Sequence, residues 1–296
     1  MKTALSLRKF TRILLIVLTA ASLALTVFLV VVCFPYFSAT PEPAELPTQP
    51  PTEAPTEPPT EPPTEEPTLP PPEANPYGEL DFQYDGRFLK LIHGESIAGI
   101  DVSSWQYDID WEAVADAGAE FAMIRIGYRG SETGKLNPDK YAQTNLEGAA
   151  AAGLDIGVYF FSQALNPAEA EEEAYYVLDI IKEHNITMPV VFDWERIRGE
   201  QSRSNEMDAR TLTDSAKAFL ETIEMAGYNA MVYFNPHQSR NLYYLEELKQ
   251  YDFWLASYTD RMDFPYKVQM WQYTEKGKIP GIETDCDFNV YFPSVG

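Results

Sequence analysis

The sequence has few cysteines, few histidines and few positive charges. Two cysteines in 296 residues exclude a disulfide-stapled scaffold and a four-cysteine zinc site. The three histidines, His93, His184 and His237, are far apart and form no pair at helical spacing, so we expect no metal. The chain has 22 Lys and Arg against 45 Asp and Glu. Nucleic-acid binding depends on basic residues that neutralise phosphates, and it is not expected here.

Several chemical signatures are also missing. The chain contains no G-x-S-x-G nucleophile motif, no phosphate-binding glycine loop and no dinucleotide fingerprint. Cys286 has no histidine near it in sequence, and we expect it to be a small buried residue. No cofactor is therefore predicted.

The net charge of −23 is unevenly distributed along the chain. Residues 1–12 carry four bases and no acid, residues 35–97 carry 12 acids and two bases, and residues 98–296 carry 33 acids and 16 bases. A folded part this acidic is not expected to dock on anionic lipid. The basic residues at the start of the chain are relevant to membrane topology, because an apolar run follows them.

Residues 13–34 are 22 consecutive residues without a charge, enough for a helix to cross about 30 Å of hydrocarbon. We predict a transmembrane helix with residues 1–12 as a cytoplasmic basic tail, since basic residues favour the cytoplasmic side. The catalytic part would then lie outside the cell. The alternative is a cleaved secretory signal, but its apolar region is normally shorter and ends in small residues, whereas this run ends VVVCF.

Residues 35–77 form a Pro/Thr/Glu-rich linker, in which residues 41–76 hold 15 of the 23 prolines. With almost no apolar side chains, this segment is predicted to be disordered. Proline-rich chains favour extended polyproline II, which gives this one a reach on the order of 100 Å. Residues 78–97 are predicted to be a transitional segment between the linker and a domain spanning residues 98–296.

Residues 98–296 alternate short apolar strands with helical stretches. Eight strands are predicted, with helices chiefly between the early ones, which indicates an α/β fold of the irregular, TIM-like β/α-barrel kind. The predicted strands are Ala98–Val102, Phe121–Ile126, Ile156–Phe161, Pro189–Phe192, Ala230–Phe234, Phe253–Ser257, Lys267–Trp271 and Asp287–Tyr291. Active sites of such barrels lie at the C-terminal ends of the strands.

Carboxylates occur at several of these strand ends. Asp101 lies in the first strand, Asp193 and Glu195 close the fourth, and Asp285 and Asp287 border the last. In an extended chain Asp193 and Glu195 project to the same face. Carboxyl groups held close together raise one another's pKa, so that one can stay protonated as a general acid while its neighbour is anionic. Cleavage of a glycosidic bond requires such a pair.

Aromatic residues crowd the same strand ends, and their partly polar rings suit the faces of sugars. Phe161 and Trp254 are expected to fill the barrel core instead. In the MWQY segment, Trp271 and Tyr273 alternate with Gln272, and one face of this strand is expected to meet the cleft. The predicted substrate-binding residues are Tyr159, Gln106, Trp271, Tyr233 and Arg125.

From residue 98 to the C-terminus the chain resembles glycoside hydrolase family 25, the lysozymes or N-acetylmuramidases of bacteria and phages. The resemblance rests on five segments in order: GIDVSSWQ, FAMIRIGYR, GVYFF, PVVFDWE, and MWQY with the Asp-x-Asn of CDFNVYF. It implies an irregular β/α barrel that cleaves the β-1,4 bond between N-acetylmuramic acid and N-acetylglucosamine in peptidoglycan. It also implies that Glu195 is the general acid, that Asp193 is the assisting carboxylate, and that Asp101 and Asp287 are further catalytic acids. Asp285 matches less well, because Asn289 follows Asp287.

The resemblance leaves the group that attacks the anomeric carbon open between water and the substrate's own N-acetyl oxygen. Two other functions remain as alternatives. One is a chitinase-like glycosidase, although Val191 stands where that signature has an acid. The other is a non-catalytic module that binds cell-wall carbohydrate. We expect a monomer whose partners are peptidoglycan strands and, through the N-terminal helix, a membrane, and which acts in wall remodelling or lysis.

Overall fold

The computed structural model describes residues 69–197 and 202–293. The predicted cytoplasmic tail, the predicted transmembrane helix and the linker up to residue 68 lie outside the described residues. Among the residues it does describe, no helix combines the length and apolar character needed to cross a membrane.

The described residues form eleven strands and six α-helices around one barrel. The strands are β1 Phe82–Asp85, β2 Phe88–Leu91, β3 Ile97–Val102, β4 Phe121–Arg129, β5 Leu136–Pro138, β6 Asp155–Ser162, β7 Val190–Trp194, β8 Ala230–Phe234, β9 Asp252–Ala256, β10 Met270–Gly277 and β11 Cys286–Tyr291. The helices are α1 Trp111–Asp116, α2 Ala142–Ala151, α3 Pro167–Ile181, α4 Ala209–Met225, α5 Pro236–Asn241 and α6 Leu245–Leu248.

Eight of these strands close into a barrel in the order β3-β4-β6-β7-β8-β9-β10-β11. The first seven are parallel, and β11 is antiparallel to both of its neighbours, β10 and β3. α-Helices connect the strands from β3 to β9, whereas β10 and β11 follow without any. The predicted mixed α/β barrel, irregular toward its end, is therefore confirmed.

Three of the helices begin at residues whose side chains cap the first turn. The side chains of Asp110, Asn166 and Asp208 each accept a hydrogen bond from a backbone N–H of the first turn, at α1, α3 and α4 respectively. Pro167 supplies the first residue of α3, a position where its missing N–H costs nothing. Gly118 follows α1 with φ +98°, a conformation that favours glycine.

Alternation along the strands separates two apolar layers. In β7, Val190, Phe192 and Trp194 face outward onto the helices, where Phe192 packs 5.4 Å from Phe219 of α4. Val191 faces the barrel interior instead. The inner cluster is Phe121, Met123, Tyr159, Met188, Val191, Met231, Tyr233, Trp254, Ala256 and Met270. It fills the barrel below the C-terminal ends of the strands, so polar side chains at those ends face a solid floor.

The structure differs from the predicted boundaries before residue 98. The transitional segment contains the antiparallel hairpin β1–β2, joined through Gly86 at φ +64°. Phe88 of this hairpin packs 4.9 Å from Phe288 of β11, and the Tyr273 hydroxyl accepts a hydrogen bond from the Leu89 N–H at 3.0 Å. The hairpin thus covers the outer face of β10 and β11, where no helix of the described residues lies.

The last nine residues of the predicted disordered linker, residues 69–77, also lie against the barrel. Ala74 forms a β-bridge with Tyr266, and Glu73 pairs with Lys267 through both its backbone carbonyl and its carboxylate. Tyr77 packs 4.6 Å from Phe292. We call residues 69–77 the strap. They are ordered because apolar and backbone partners exist for them, which the proline-rich composition alone does not reveal.

Candidate active site

Six carboxylates line one cavity of about 860 Å³ at the C-terminal mouth of the barrel, and four of them are the predicted catalytic acids. Asp101 comes from β3, Asp193 from β7, Glu195 from the residue after β7's last, and Asp287 from β11. Asp101 and Asp193 are nearly inaccessible, whereas Glu195 and Asp287 are half-buried. Sequence-distant acids therefore meet in one place, as the barrel topology requires.

In the order Asp193-Trp194-Glu195, the two acids face the cavity and the tryptophan packs on the opposite side of the strand. Trp194 is fully buried in the outer layer, and its indole Nε1 donates to Ser204 Oγ at 3.1 Å. Asp193 and Glu195 both line the cavity. The alternation of an extended chain produces this arrangement.

Asp101 is held by a network of amides. Its Oδ2 accepts hydrogen bonds from Gln272 Nε2 at 2.7 Å and from Asn289 Nδ2 at 2.8 Å. Tyr233 Oη donates to Gln272 Oε1 at 3.0 Å, and Trp254 Nε1 donates to Asn289 Oδ1 at 2.9 Å. The network fixes the Asp101 carboxyl at the floor of the cavity. It also accounts for the Asp-x-Asn pattern, since Asp287 and Asn289 lie two residues apart on one face of β11.

The environment favours protonated carboxyls in this cluster. Burial raises the pKa of Asp101 to about 6, although the bonds from Asn289 and Gln272 oppose the shift. Burial, and then the charges of Glu195 and Asp101, raise the pKa of Asp193 well above its usual value. Burial and the charge of Asp101, with smaller contributions from Glu275 and Glu195, raise the pKa of Asp287 to about 9. The cluster therefore retains protons at neutral pH, as a site that protonates a leaving group needs.

Three of the predicted substrate-binding residues, Tyr159, Tyr233 and Arg125, line the cavity with side chains from β6, β8 and β4. Arg125 is oriented by Asp139, whose Oδ2 lies 2.7 Å from Arg125 Nη2, and by Ser104 Oγ at 3.1 Å. Its guanidinium group lies 5.7 Å from the ring centre of Tyr128.

Gln106 also lines the cavity, but its amide is engaged in the loop after β3. Its Oε1 accepts from the Ser103 N–H at 2.9 Å, and its Nε2 donates to the Asp285 carbonyl at 3.2 Å. Gln106 thus joins the β3 loop to the approach of β11. Asp285 lines the same cavity, but it is exposed and its carboxylate is paired with Lys278 at 2.7 Å.

Trp271 does not reach the cavity, which corrects its predicted role. It is fully buried in the outer layer, packs 5.2 Å from Phe82 of the hairpin and donates from Nε1 to the Ser257 carbonyl at 2.8 Å. The Tyr273 side chain also lies outside the barrel, where its hydroxyl bonds to the hairpin. Gln272, between them, is the residue of this segment that faces the acids.

Two aromatic residues that were expected in the core contribute to the cavity. Phe161 is half-buried and lines the cavity wall. Trp254 is buried in the inner cluster, yet its indole forms part of the cavity floor, edge-on to Tyr159 at 6.0 Å and to Tyr233 at 5.0 Å. Inside the barrel, one ring can serve the core and the site together.

Some cavity residues were not singled out from the sequence. Gly130 and Ser131 come from the turn between β4 and β5, Ile197 follows β7, and Glu275 lies near the end of β10. They belong to loops and strand ends that carry no motif. The exposed Trp105 and Tyr128 lie at the same cavity.

A second cavity of about 790 Å³ continues from the first. The two share Glu195, Tyr233, Tyr258 and Glu275 as lining residues, so the cleft extends on both sides of Glu195. Within the described residues, no group of three or more His, Cys, Asp or Glu side chains is arranged to hold a metal ion.

Paired carboxylates in an open cleft at the mouth of a β/α barrel are the arrangement expected of a glycoside hydrolase. The model of the glycosyl hydrolases family 25 matches residues 100–282. Because this match covers more than half of the chain, the protein belongs to that family.

Individual relatives agree with the family match. The chain is 28% identical to the uncharacterized protein YegX of Escherichia coli strain K12 over 211 residues, covering 69% of this chain and 72% of YegX. It is 24% identical to lysozyme M1 of Streptomyces globisporus, covering 70% and 71% of the two chains. Among solved structures, the modular autolysin LytC of Streptococcus pneumoniae, in complex with a synthetic peptidoglycan ligand, superposes with a TM-score of 0.60 at 26% identity. That match covers 69% of this chain and 48% of LytC, so the chain spans about half the length of the autolysin.

Proposed function

We propose that this protein is a muramidase, a peptidoglycan hydrolase that cleaves the β-1,4 bond between N-acetylmuramic acid and N-acetylglucosamine. The observation that carries the proposal is the convergence of Asp101, Asp193, Glu195 and Asp287 at the mouth of a family 25 barrel. The similarity to lysozyme M1 and to an autolysin crystallised with a peptidoglycan ligand supports this substrate. The cleft suits a polymer, because it continues on both sides of Glu195.

In this mechanism Glu195 protonates the leaving glycosidic oxygen. It is the half-buried member of the Asp193–Glu195 pair, and it lies where the two cavities meet. Asp193, buried beside it, orients or stabilises the group that attacks the anomeric carbon. Asp101 and Asp287 tune the charge of the cluster, since each carboxylate that ionises raises the pKa of its neighbours.

The glycan is held by the groups around these acids. Tyr159, Tyr233 and Arg125 line the inner part of the cleft, and Trp105 and Tyr128 offer exposed ring surface at its rim. Aromatic rings stack on the apolar faces of sugars, while polar side chains accept and donate to the hydroxyls. The protein acts as a monomer in this scheme.

Activity on purified peptidoglycan tests the proposal. The wild-type protein is expected to clear a peptidoglycan suspension and to release fragments with reducing N-acetylmuramic acid ends, identified by mass spectrometry. Glu195→Gln and Asp193→Asn variants should fold, judged by circular dichroism, but fail to clear it. Cleavage of soluble chitin oligomers in preference to peptidoglycan would instead indicate a chitinase-like enzyme. Binding without new reducing ends would indicate a carbohydrate-binding module.

We further propose that residues 13–34 anchor the enzyme in the cell membrane, with residues 1–12 in the cytoplasm and the barrel outside. The charge-free run behind four basic residues supports this topology, and the Pro/Thr/Glu-rich linker provides the reach toward the wall. A membrane-tethered enzyme suits remodelling of the producing cell's own wall. Activity in the membrane fraction, lost from intact cells after external protease, is the expected result. Activity in the medium would indicate cleavage and secretion.

A further inference from the structure

The backbone that carries the catalytic pair leaves the barrel sheet at Trp194. The last register positions of β7 are Ser162↔Trp194 with β6 and Asp193↔Tyr233 with β8. Beyond them no strand neighbour fixes the chain, although Glu195 must still present its carboxyl to the cleft. Buried backbone carbonyls need hydrogen-bond partners, so the carbonyls of Trp194 and Glu195 require partners other than the sheet.

Two side-chain amides replace it. Gln238 Nε2 donates to the Trp194 carbonyl at 2.6 Å, and Gln163 Nε2 donates to the Glu195 carbonyl at 3.0 Å. Gln238 comes from α5, after β8, and Gln163 follows the last residue of β6. The two glutamines thus reach the Trp194–Glu195 segment from the elements on either side of β7.

The hydrogen-bonding capacity of Gln163 is fully used. Its Nε2 also donates to the Ser162 carbonyl at 2.8 Å, and its Oε1 accepts from Ser202 Oγ at 2.5 Å and Ser204 Oγ at 2.7 Å. A side-chain amide has two N–H donors and two acceptor lone pairs, and all four are occupied here. Gln163 is fully buried and is not among the residues lining either cavity. Only one orientation of this amide satisfies all four hydrogen bonds.

Gln238 is buried but lines the second cavity, and it is held at both ends of its amide. Its Oε1 accepts from the Asn235 N–H at 2.8 Å, within the capping box that begins α5. Its Nε2 is the group that holds Trp194. Ser204 connects Gln163 to Trp194, because its hydroxyl donates to Gln163 Oε1 and accepts from the Trp194 indole Nε1.

We infer that Gln163 and Gln238 are positioning residues for the glycosidic cleavage: they clamp the backbone at Glu195 and Trp194 and thereby aim the Glu195 carboxyl into the cleft. This inference rests on the proposed function. A misplacement of about 1 Å of a catalytic group costs on the order of 100-fold in rate, so a clamp of this kind affects turnover more than binding.

Gln163→Glu and Gln238→Glu are isosteric tests. Each keeps the oxygen that accepts its present bonds and replaces the N–H donor with an oxygen facing a carbonyl. We expect kcat on peptidoglycan to fall about ten-fold or more in each variant, since a hydrogen bond to a poised group is worth roughly a factor of ten. KM should change less than about two-fold in Gln163→Glu, because Gln163 lines neither cavity. Gln269→Glu is the matched control. Gln269 lies at the opposite end of the barrel, where its Oε1 accepts from the Phe253 N–H, and its kcat should stay at the wild-type value.

Combining Gln163→Glu with Glu195→Gln distinguishes a loss of positioning from a loss of folded protein. In a Glu195→Gln protein the aimed carboxyl is already gone, so adding Gln163→Glu should cause little further loss of the residual rate. If Gln163→Glu acted only by reducing the amount of folded protein, it would lower the rate by the same factor in the wild-type and in the Glu195→Gln protein. If Gln163→Glu does not fold, judged by its thermal transition, Gln163→Met removes the donor without introducing a charge and is tested in the same way.

The outcomes keep the two proposals apart. A wild-type protein that releases no reducing ends from peptidoglycan contradicts the proposed function. An active wild-type protein whose Gln163 and Gln238 variants keep kcat, or lose it equally in the Glu195→Gln background, overturns the positioning role alone.

Discussion

Asp101 of β3 and Asp287 of β11 are direct cross-strand neighbours in an antiparallel pair. Residues at such positions project from the same face of the sheet, and both line the cavity. Like charges in this arrangement are destabilising, and the pKa of each carboxyl is raised, chiefly by burial. The fold therefore holds two acids together against their repulsion, which is a sign of functional rather than structural selection.

An Asp287→Asn variant should be more stable than the wild type at pH 8 and less active. The substitution removes a carboxyl that has to be protonated or endure repulsion on folding, while Asp101 keeps its bonds from Gln272 and Asn289. One unit of pKa shift corresponds to about 1.4 kcal/mol, so a gain of at least about 1 kcal/mol is expected. Urea unfolding at pH 8 measures it. An unchanged or lower midpoint would contradict the strain assigned to this pair.

The thermal stability of the whole domain should fall as pH rises through neutrality. Burial raises the pKa of Asp101 to about 6, of Glu173 to about 7 and of Asp287 to about 9. Between about pH 4 and pH 9 the folded state thus binds more protons than the unfolded state, whose carboxyls titrate near 4. These groups favour the folded state at low pH, and the contribution is lost as pH rises through their folded values.

Carboxyls with lowered pKa set the acid limit of that trend. Burial opposes the shift at Glu169, but the Arg203 guanidinium holds its pKa below the usual range. Hydrogen bonds from Thr211 lower the pKa of Asp208. Their stabilisation is lost as pH falls through their folded values. Calorimetry from pH 4 to 9 should find the highest Tm near pH 5. A Tm that climbs steadily to pH 8 would show that the buried acids ionise without cost.

A Glu275→Gln variant should shift the alkaline limit of activity to lower pH. Glu275 is exposed at the cleft, and its charge helps burial and Asp101 to raise the pKa of Asp287. Removing that charge lets the carboxyl cluster lose its protons at a lower pH. The kcat–pH profiles of wild type and variant on peptidoglycan measure the shift. Asp285→Asn is the control, because Asp285 is paired with Lys278 and should shift the profile less.

Two tryptophans should respond oppositely to substitution. Trp271→Phe loses the Nε1 bond to Ser257 and some outer-layer packing, so it should lower the free energy of unfolding by about 1–2 kcal/mol and leave KM unchanged. Trp105 is 69% exposed at the cleft, so Trp105→Ala should raise KM several-fold and change stability by less than about 0.5 kcal/mol. A rise in KM for Trp271→Phe would place that side chain at the substrate after all.

Most of the barrel strands could be predicted because they are short apolar runs bounded by helical or turn sequence. The seventh was misplaced: the predicted strand Lys267–Trp271 overlaps β10, Met270–Gly277, only at its start, because β10 continues into the polar residues that follow Tyr273. Which side chains of the MWQY segment face into the barrel could not be predicted. In a barrel, the outer face of a strand is covered by helices or a hairpin, so apolar residues face outward as well as inward. At the mouth, the polar residue marks the inner face. Gln272 carries that information, and Trp271, flanking it, belongs outside.

The hairpin and the Gln163–Gln238 clamp were missed for different reasons. The hairpin has a sequence signal, Gly86-Arg87 between two short runs with large apolar residues, since glycine at the first of two loop residues is a common hairpin turn. The clamp has none, because glutamines distant in sequence become partners of Trp194 and Glu195 only once β6, β7 and β8 lie side by side. Convergent networks of this kind follow from topology and cannot be found from spacing along the chain.

Residues 69–97 belong to the folded unit, because the strap and the hairpin pack on the barrel. A chain beginning at Ala98, the boundary that the strand pattern predicts, lacks Tyr77, Phe82 and Phe88, which pack on Phe292, Trp271 and Phe288. Burial of each large apolar side chain contributes about 1.5–3 kcal/mol, and domains are stable by only about 5–15 kcal/mol in total. This chain should therefore be largely unfolded or aggregated.

Longer versions locate the boundary more finely. A chain beginning at Leu69 keeps the strap and should match the full-length protein in Tm and in specific activity. A chain beginning at Gly78 loses the Ala74–Tyr266 bridge and the Glu73–Lys267 contacts but keeps the hairpin, so its Tm should drop by only a few degrees. Equal melting temperatures for the chains starting at 69 and 98 would show that the β10–β11 face is stable without its cover. That result is not expected, because no helix lies over those two strands and water would then reach Trp271 and Phe288 directly.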